Sequence, residues 1–283
     1  MNYDEQLLQL IKNALAEDMG DGDHSTLSSI DANAKSKAVL KIKEDGILAG
    51  VAVAKKIFLY MQADIVFTQY KIDGDAMKAG EIAFTVDAKV HTILQCERLV
   101  LNCMQRMSGI ATLTRQYVEQ LKGFKTKLLD TRKTTPNFRL LEKEAVRIGG
   151  GVNHRFGLYD MIMLKDNHVD YSGGIKKAIE KAFAYVQTKE LGLKIEVETR
   201  SLADVKKVLA VGKVDRIMLD NFTPAQITEA LELIDGKYET EASGGIDLSN
   251  IRSYAATGVD YISSGAVIHH AVSLDLSLKA EII

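Results

Sequence analysis

The 283-residue chain lacks any run of eighteen apolar residues, so it offers no membrane-spanning helix. It also lacks an excess of either charge: 36 Lys and Arg stand against 38 Asp and Glu, for a net charge of -2 and a pI near 6.3. A nucleic-acid-binding or anionic-membrane face carries a basic excess, so both partner classes are excluded and any anion site must be local. Cysteine is scarce. Cys96 and Cys103 fall two helical turns apart, too far for a disulfide, and read as buried thiols of a reducing compartment. Two prolines leave no Pro-rich linker. The first residues, MNYDEQLLQLIKNALAEDMG, are acidic and amphipathic, unlike a signal peptide, and a cytoplasmic location is expected.

What is present is apolar content of 46%, enough for the core of one large domain or two unequal ones. Asp4 is expected to cap a helix with Leu7, Leu8, Ile11 and Leu15 as its apolar stripe and Gly20 as its end. Ala38, Leu40 and Ile42 then alternate with lysines, and strand-like runs at 65–70 and 82–86 flank the turn Asp73-Gly74-Asp75. Residues 1–110 thus predict a strand-rich α/β domain. The stretch His91 to Met107 reads as a long helix that leads through Ser108-Gly109 into a second one at the domain junction. The segment from Gly74 to Lys89 resembles the hairpin of lipoyl and biotinyl carriers, but Lys89 runs on toward a helix instead of sitting on a two-residue turn.

From about residue 125 a short apolar run followed by a helical stretch repeats, as in a parallel α/β sheet or barrel. The runs end in Asp130-Thr131-Arg132-Lys133, Lys165-Asp166-Asn167, Glu198, Asp220-Asn221, Ser243-Gly244-Gly245 and Ser263-Ser264-Gly265. Polar chemistry therefore converges on the C-terminal edge of the strands, the active face of a barrel. Strand alternation turns Met161, Met163 and Lys165 inward, together with Lys194, Glu196, Glu198, Met218 and Asp220. The bland alternative is that these charges only pair with one another inside the barrel, at a cost of several kcal/mol per ion unless the geometry is excellent.

Glu198 and Asp220 offer hard oxygen ligands suited to Mg²⁺ held together with substrate phosphate oxygens. The two glycine-bearing turns at the last strands can bring bare backbone N–H groups to a phosphate. The segment 129–168 is the densest in chemistry, with Arg132-Lys133, a triple glycine, His154-Arg155 and the strand-end Lys165. Arg132, His154 and Arg155 suit carboxylates or a pyrophosphate. Lys165 suits an electrostatic clamp or, if desolvated, a Schiff-base nucleophile. His24 and His168 read as structural or capping residues, and His269-His270 receives no role.

These residues resemble the quinolinate phosphoribosyltransferase family, in the blocks EDMGDGDHST, GILAG, ERLVLNCMQRMSGIAT, DTRKTTPNFR, GGGVNHRFGLYDMIMLKDNH, EVET, LDNF and EASGGI, which occur in the family's order. The resemblance implies an N-terminal α/β sandwich (1–110), an incomplete seven-stranded TIM-like α/β barrel (111–270) and a C-terminal segment (271–283) packed back on the first domain. It implies transfer of a phosphoribosyl group from 5-phosphoribosyl 1-diphosphate to quinolinate with decarboxylation, in NAD biosynthesis, giving nicotinate mononucleotide, pyrophosphate and CO₂. By position it places Arg132, His154, Arg155 and Lys165 in the quinolinate pocket, with Lys133 beside it toward the phosphoribosyl substrate and Thr131 among the substrate-binding residues. It puts Glu198 and Asp220 around the ribose and Mg²⁺, and Ser243, Gly244, Gly245, Ser264 and Gly265 at the 5-phosphate. Lys133, Glu198 and Asp220 are its catalytic candidates. It implies a homodimer with shared sites, or an oligomer of such dimers, with Arg98 reaching into the partner's pocket. Two positions depart from the family: Asn137 replaces a glycine and Glu144 a tyrosine. Rival readings are a Schiff-base aldolase built on Lys165, a phosphoribosyltransferase for another aromatic acid, and a non-catalytic phosphate-binding module.

Overall fold

The structure, a computed structural model, describes residues 2–280. It divides into two compact units, Met1–Arg115 with Thr134–Gly150 and Ile268–Ile283, and Gln116–Lys133 with Gly151–Val267. The first contains β1 (Lys35–Ile42), β2 (Gly46–Ile47), β3 (Val66–Gln69), β4 (Ala76–Met77) and β5 (Ile82–Lys89). The second contains β6 (Lys127–Leu129), β7 (Ile162–Leu164), β8 (Ile195–Thr199), β9 (Arg216–Asp220), β10 (Glu239–Ser243) and β11 (Tyr261–Ser263), and β12 (Leu276–Ala280) returns to the first.

In the first unit an antiparallel sheet runs β12-β1-β5-β3, with a small β2-β4 ladder beside it. The C-terminal strand is thus an edge of this sheet, Leu278 opposite Leu40; residues 281–283 of the expected C-terminal segment lie outside the described residues. Helix Val51–Met61 buries Val53, Ala54, Ile57 and Phe58, and the Phe58 ring meets Phe84 of β5 edge-on at 6.4 Å. The first helix, Tyr3–Met19, buries Leu7, Ile11 and Leu15 as its spacing requires, and leaves Leu8 exposed. Its cap is Asn2, in a capping box with Glu5, two residues before the expected Asp4. Lys89 ends β5 and passes straight into a helix, so no carrier-type turn presents it.

The expected break at Ser108-Gly109 is absent: Val90–Gln120 is one helix of 31 residues. Its small residues serve packing. The Ser108 hydroxyl accepts the Ala49 N–H at 3.0 Å, and a side chain on Gly109 would collide with the Val272 carbonyl. Cys96 and Cys103 are free thiols buried in this helix, both pushed up to about 12 by burial. Helix Arg139–Gly149 belongs to the first unit. A Cβ on Gly149 would fall 2.6 Å from the Ala111 carbonyl and the Thr114 side chain, and Gly150 caps the helix at φ 98°. Two of the three consecutive glycines therefore answer to helix packing and capping. Asn137 takes the left-handed conformation (φ 61°) that asparagine tolerates better than other side chains, and Glu144 is neutralised by Arg147 at 3.0 Å.

The second unit is a parallel sheet ordered β6-β11-β10-β9-β8-β7. Beyond β6 a single parallel bridge joins Leu129 to Val152. The seventh strand of the expected barrel is thus reduced to one residue, because Val152 stands between a glycine run and the polar loop Asn153-His154-Arg155. The outward faces of the strands are apolar, with Ile195, Val197, Ile217 and Leu219 buried as alternation demands.

Within the first unit Glu142 is wholly buried and accepts Arg106 Nε and Nη2 at 3.0 and 2.9 Å, with Thr135 N–H at 2.8 Å. Arg106→Ala removes the cation that pairs with this buried carboxylate and is expected to cost about 3–5 kcal/mol in urea unfolding. A loss below about 1 kcal/mol, the range of an exposed pair, would contradict that role for Arg106.

Candidate active site

The strand ends of the second unit assemble the charged mouth that alternation places there. Lys165 follows β7, Glu198 sits in β8 and Asp220 closes β9. Lys165 Nζ lies 3.1 Å from Glu198 Oε2. Burial raises the Asp220 pKa, the Glu198 carboxylate raises it further, and Asn221 and Lys165 oppose them. Two acids on neighbouring strands thus repel each other at a partly solvated mouth, with Lys165 as the local counter-charge.

The glycine turn after β10 stands against Asn221. Asn221 adopts φ 58°, donates its backbone N–H to the Ser243 carbonyl at 2.8 Å and its side-chain amide to Asp220 Oδ2 at 2.7 Å. Gly244 (φ 96°) leaves no room for a Cβ, which would fall on the Asn221 carboxamide and 3.0 Å from its backbone N. Gly245 (φ 62°) faces open space. Without side chains, the two glycines let an anion approach the backbone N–H groups of this turn closely. Ser264 differs from expectation. It is buried, its hydroxyl donates to the Ile246 carbonyl at 3.0 Å and its N–H to the Leu129 carbonyl at 3.1 Å, so its donors lock the turn and none is left for a ligand.

The cationic side is built from β6 and the following crossover. Thr131 accepts the Lys133 N–H at 3.1 Å, which shapes the strand-end turn and leaves Lys133 exposed. Asp130, wholly buried, accepts the His154 N–H at 2.8 Å and the Asn153 amide at 2.6 Å. Asp160 accepts two backbone N–H groups, from Phe156 and Gly157 at 2.6 and 2.9 Å. Between these clamps Arg155 donates to the Met161 carbonyl at 3.2 Å and reaches Met163 Sδ at 3.7 Å. Its pKa is lowered by burial and then by the Arg132 guanidinium, so the two cations lie within electrostatic reach of each other. Like charges brought together on a half-buried surface suit an anion.

His154 turns inward. Its Nε2 lies 3.0 Å from Glu196 Oε2 and 3.2 Å from Glu241 Oε2, and both glutamates are wholly buried. Below them Arg216 pairs with Glu241 at 3.2 Å and Glu239 at 3.0 Å and stacks on Tyr261 at 4.2 Å. Alternation turned Glu196 inward, but Glu241, Arg216 and Asp130 went unread as parts of the site. Continuing the same alternation along Glu239–Ser243 would have found Glu241, whereas nothing in the local pattern joins Asp130 to Asn153 and His154. His168 meets its capping expectation: its Nδ1 accepts the Lys165 N–H at 3.0 Å. Arg98 lies exposed on helix Val90–Gln120 of the first unit. Among the described residues, no helix is long and apolar enough to cross a membrane.

The chain matches two family models in tandem, the N-terminal domain of quinolinate phosphoribosyl transferase over residues 23–108 and its C-terminal domain over 110–279. It is 42% identical over 287 residues to quinolinate phosphoribosyltransferase [decarboxylating] 1b of Nicotiana tabacum, covering 96% of this chain and 81% of that one. A probable nicotinate-nucleotide pyrophosphorylase [carboxylating] of Bacillus subtilis is 42% identical over 273 residues, with 96% and 93% covered. Among solved structures, NadC from Streptococcus pyogenes superposes with a TM-score of 0.90 at 43% identity, covering 98% of each chain.

Proposed function

We propose a division of labour among these residues from the premise that the chain belongs to the quinolinate phosphoribosyltransferase family, the decarboxylating pentosyltransferases of NAD biosynthesis. The enzyme moves the phosphoribosyl group of 5-phosphoribosyl 1-diphosphate to the ring nitrogen of quinolinate and releases CO₂ and pyrophosphate. The observation that carries the assignment of roles is the approach of Arg132 to Arg155 beside a mouth that also holds Lys165, Glu198 and Asp220.

Arg132 and Arg155 hold the two carboxylates of quinolinate, each guanidinium forking onto two oxygens, with Lys165 at the edge of the pocket. Fixing the ring in line with the anomeric carbon is a positioning effect that contributes ~7 kcal/mol or more in favourable cases. As the anomeric C–O bond breaks, the ribose gains oxocarbenium character, and the carboxylates of Glu198 and Asp220 stabilise it. Lys133 and the Thr131 turn receive the diphosphate side of the donor. The Ser243-Gly244-Gly245 turn and Gly265 offer backbone N–H groups to its 5-phosphate. Ser264 supports that turn from behind.

Mg²⁺ fits this donor set. Glu198 and Asp220 are two mutually repelling carboxylates on adjacent strands, and magnesium takes one or two carboxylates and completes its shell with water and phosphate oxygens. Bound there, it would supply positive charge against the departing pyrophosphate. We also infer a cytoplasmic homodimer in which Arg98, idle on its own exposed helix face, serves the partner's pocket; its position within ERLVLNCMQRMSGIAT supports this reading.

Carboxyl-labelled quinolinate should release labelled CO₂ only when 5-phosphoribosyl 1-diphosphate and Mg²⁺ are both supplied. No release across a range of metals and pH would refute the assignment. Mixing Arg98→Ala subunits with Lys165→Ala subunits should restore part of the activity that each lacks. Mixtures no more active than their components would refute site sharing.

A further inference from the structure

The carboxylates under His154 are unlike the acids at the mouth. Glu196 and Glu241 show no exposed surface, and each turns an oxygen onto the same imidazole nitrogen. The other nitrogen, Nδ1, accepts the backbone N–H of Arg155 at 2.6 Å. One ring nitrogen thus faces the carboxylates of the barrel interior, and the other is bonded to the main chain of the residue that carries the guanidinium. The backbone of His154 is held separately by Asp130. The ring is a peg driven into the barrel, with Arg155 fastened to its outer end.

Arg216 neutralises Glu241, and Lys194 reaches Glu239 at 3.4 Å, which leaves Glu196 with His154. Burial opposes a charge on the ring, the neighbouring Glu196 and Glu241 favour one, and burial together with Glu241 raises Glu196 to about 7. With Nδ1 occupied as an acceptor, the ring is neutral and carries its one proton on Nε2, facing the carboxylates. A divalent ion at this trio would meet the Arg216 guanidinium beside Glu241, so the counter-charge is already present.

We infer that Glu196 and Glu241 are positioning residues for quinolinate: by seizing His154 from inside the barrel they set the Arg155 main chain, and His154 acts on the substrate through Arg155 and not by contact. This rests on the quinolinate reading above and adds to it two glutamates and a changed role for the histidine.

The test is a double-mutant cycle on the full-length enzyme with quinolinate and 5-phosphoribosyl 1-diphosphate. Glu241→Gln, which keeps the volume, should raise KM for quinolinate at least about tenfold, the usual loss when a charge-assisted hydrogen bond fails, with kcat and the donor's KM within about twofold. In an Arg155→Ala background the same change should add nothing further. Glu196→Gln should behave alike. An unchanged quinolinate KM in a folded variant, an undiminished effect without Arg155, or a joint loss of kcat and both affinities overturns the inference. Should neither glutamine variant fold, ¹⁵N spectra of the wild-type imidazole decide it. The His154 nitrogens should show an acceptor Nδ1 and a protonated Nε2, unmoved by saturating quinolinate, and a large ligand-induced Nε2 shift overturns it. Wild-type protein that fails to turn over quinolinate at all would instead remove the functional reading beneath.

Discussion

An ionised layer inside a barrel is stable only when every charge finds a partner, because burying an unpaired ion costs several kcal/mol. Here that constraint governs the second unit. Glu196 and Glu241, neighbours in space from strands on either side of β9, meet the His154 ring from the top and the Arg216 cation from the bottom. Arg216 comes from the start of β9, and His154 comes from the crossover between β6 and β7. Since His154 must enter the barrel, Val152 can form only one bridge of a strand, and Arg155 emerges at the mouth immediately afterwards. The incompleteness of the barrel and the placement of its main cation have the same cause.

The inward-facing residues thus form two layers with opposite demands. The interior layer is buried and gathered around the His154 ring. One step toward the C-terminal edge, Glu198, Asp220 and Lys165 are partly solvated and only loosely balanced, as groups must be if they are to exchange their present partners for substrate charges. A rigid interior under an unsatisfied rim is what a site for two polyanionic substrates requires, since positioning carries much of such a reaction.

The rim was legible in the sequence because it obeys a period of two: a short apolar run fixes which side chains turn inward, and the residue after the run falls at the mouth. Lys165, Glu198 and Asp220 follow from that rule alone. Three features escaped it. The glycines at 149–150 looked like ligand-binding backbone, yet they serve a close helix approach and a C-cap. Ser264 looked like a phosphate ligand and is a turn lock. His154 looked like a pocket cation, whereas its partners come from strands remote in sequence, and local pattern carries no record of such pairings. The helix through Ser108-Gly109 failed for a related reason, because a distant carbonyl occupies the space a side chain would need. Arg98 is readable only through resemblance, since nothing near it distinguishes it from a solvated helix residue.

The central claim is that paired guanidiniums, Arg132 and Arg155, select a substrate carrying two adjacent carboxylates. Calorimetric titration with quinolinate and with nicotinate, which keeps the ring nitrogen and one carboxylate, tests it most directly. Quinolinate should bind about tenfold to a hundredfold more tightly, the worth of one charge-assisted hydrogen-bonded pair, and Arg155→Ala should abolish most of the difference. Equal affinity for the two acids in the wild-type protein would contradict the account.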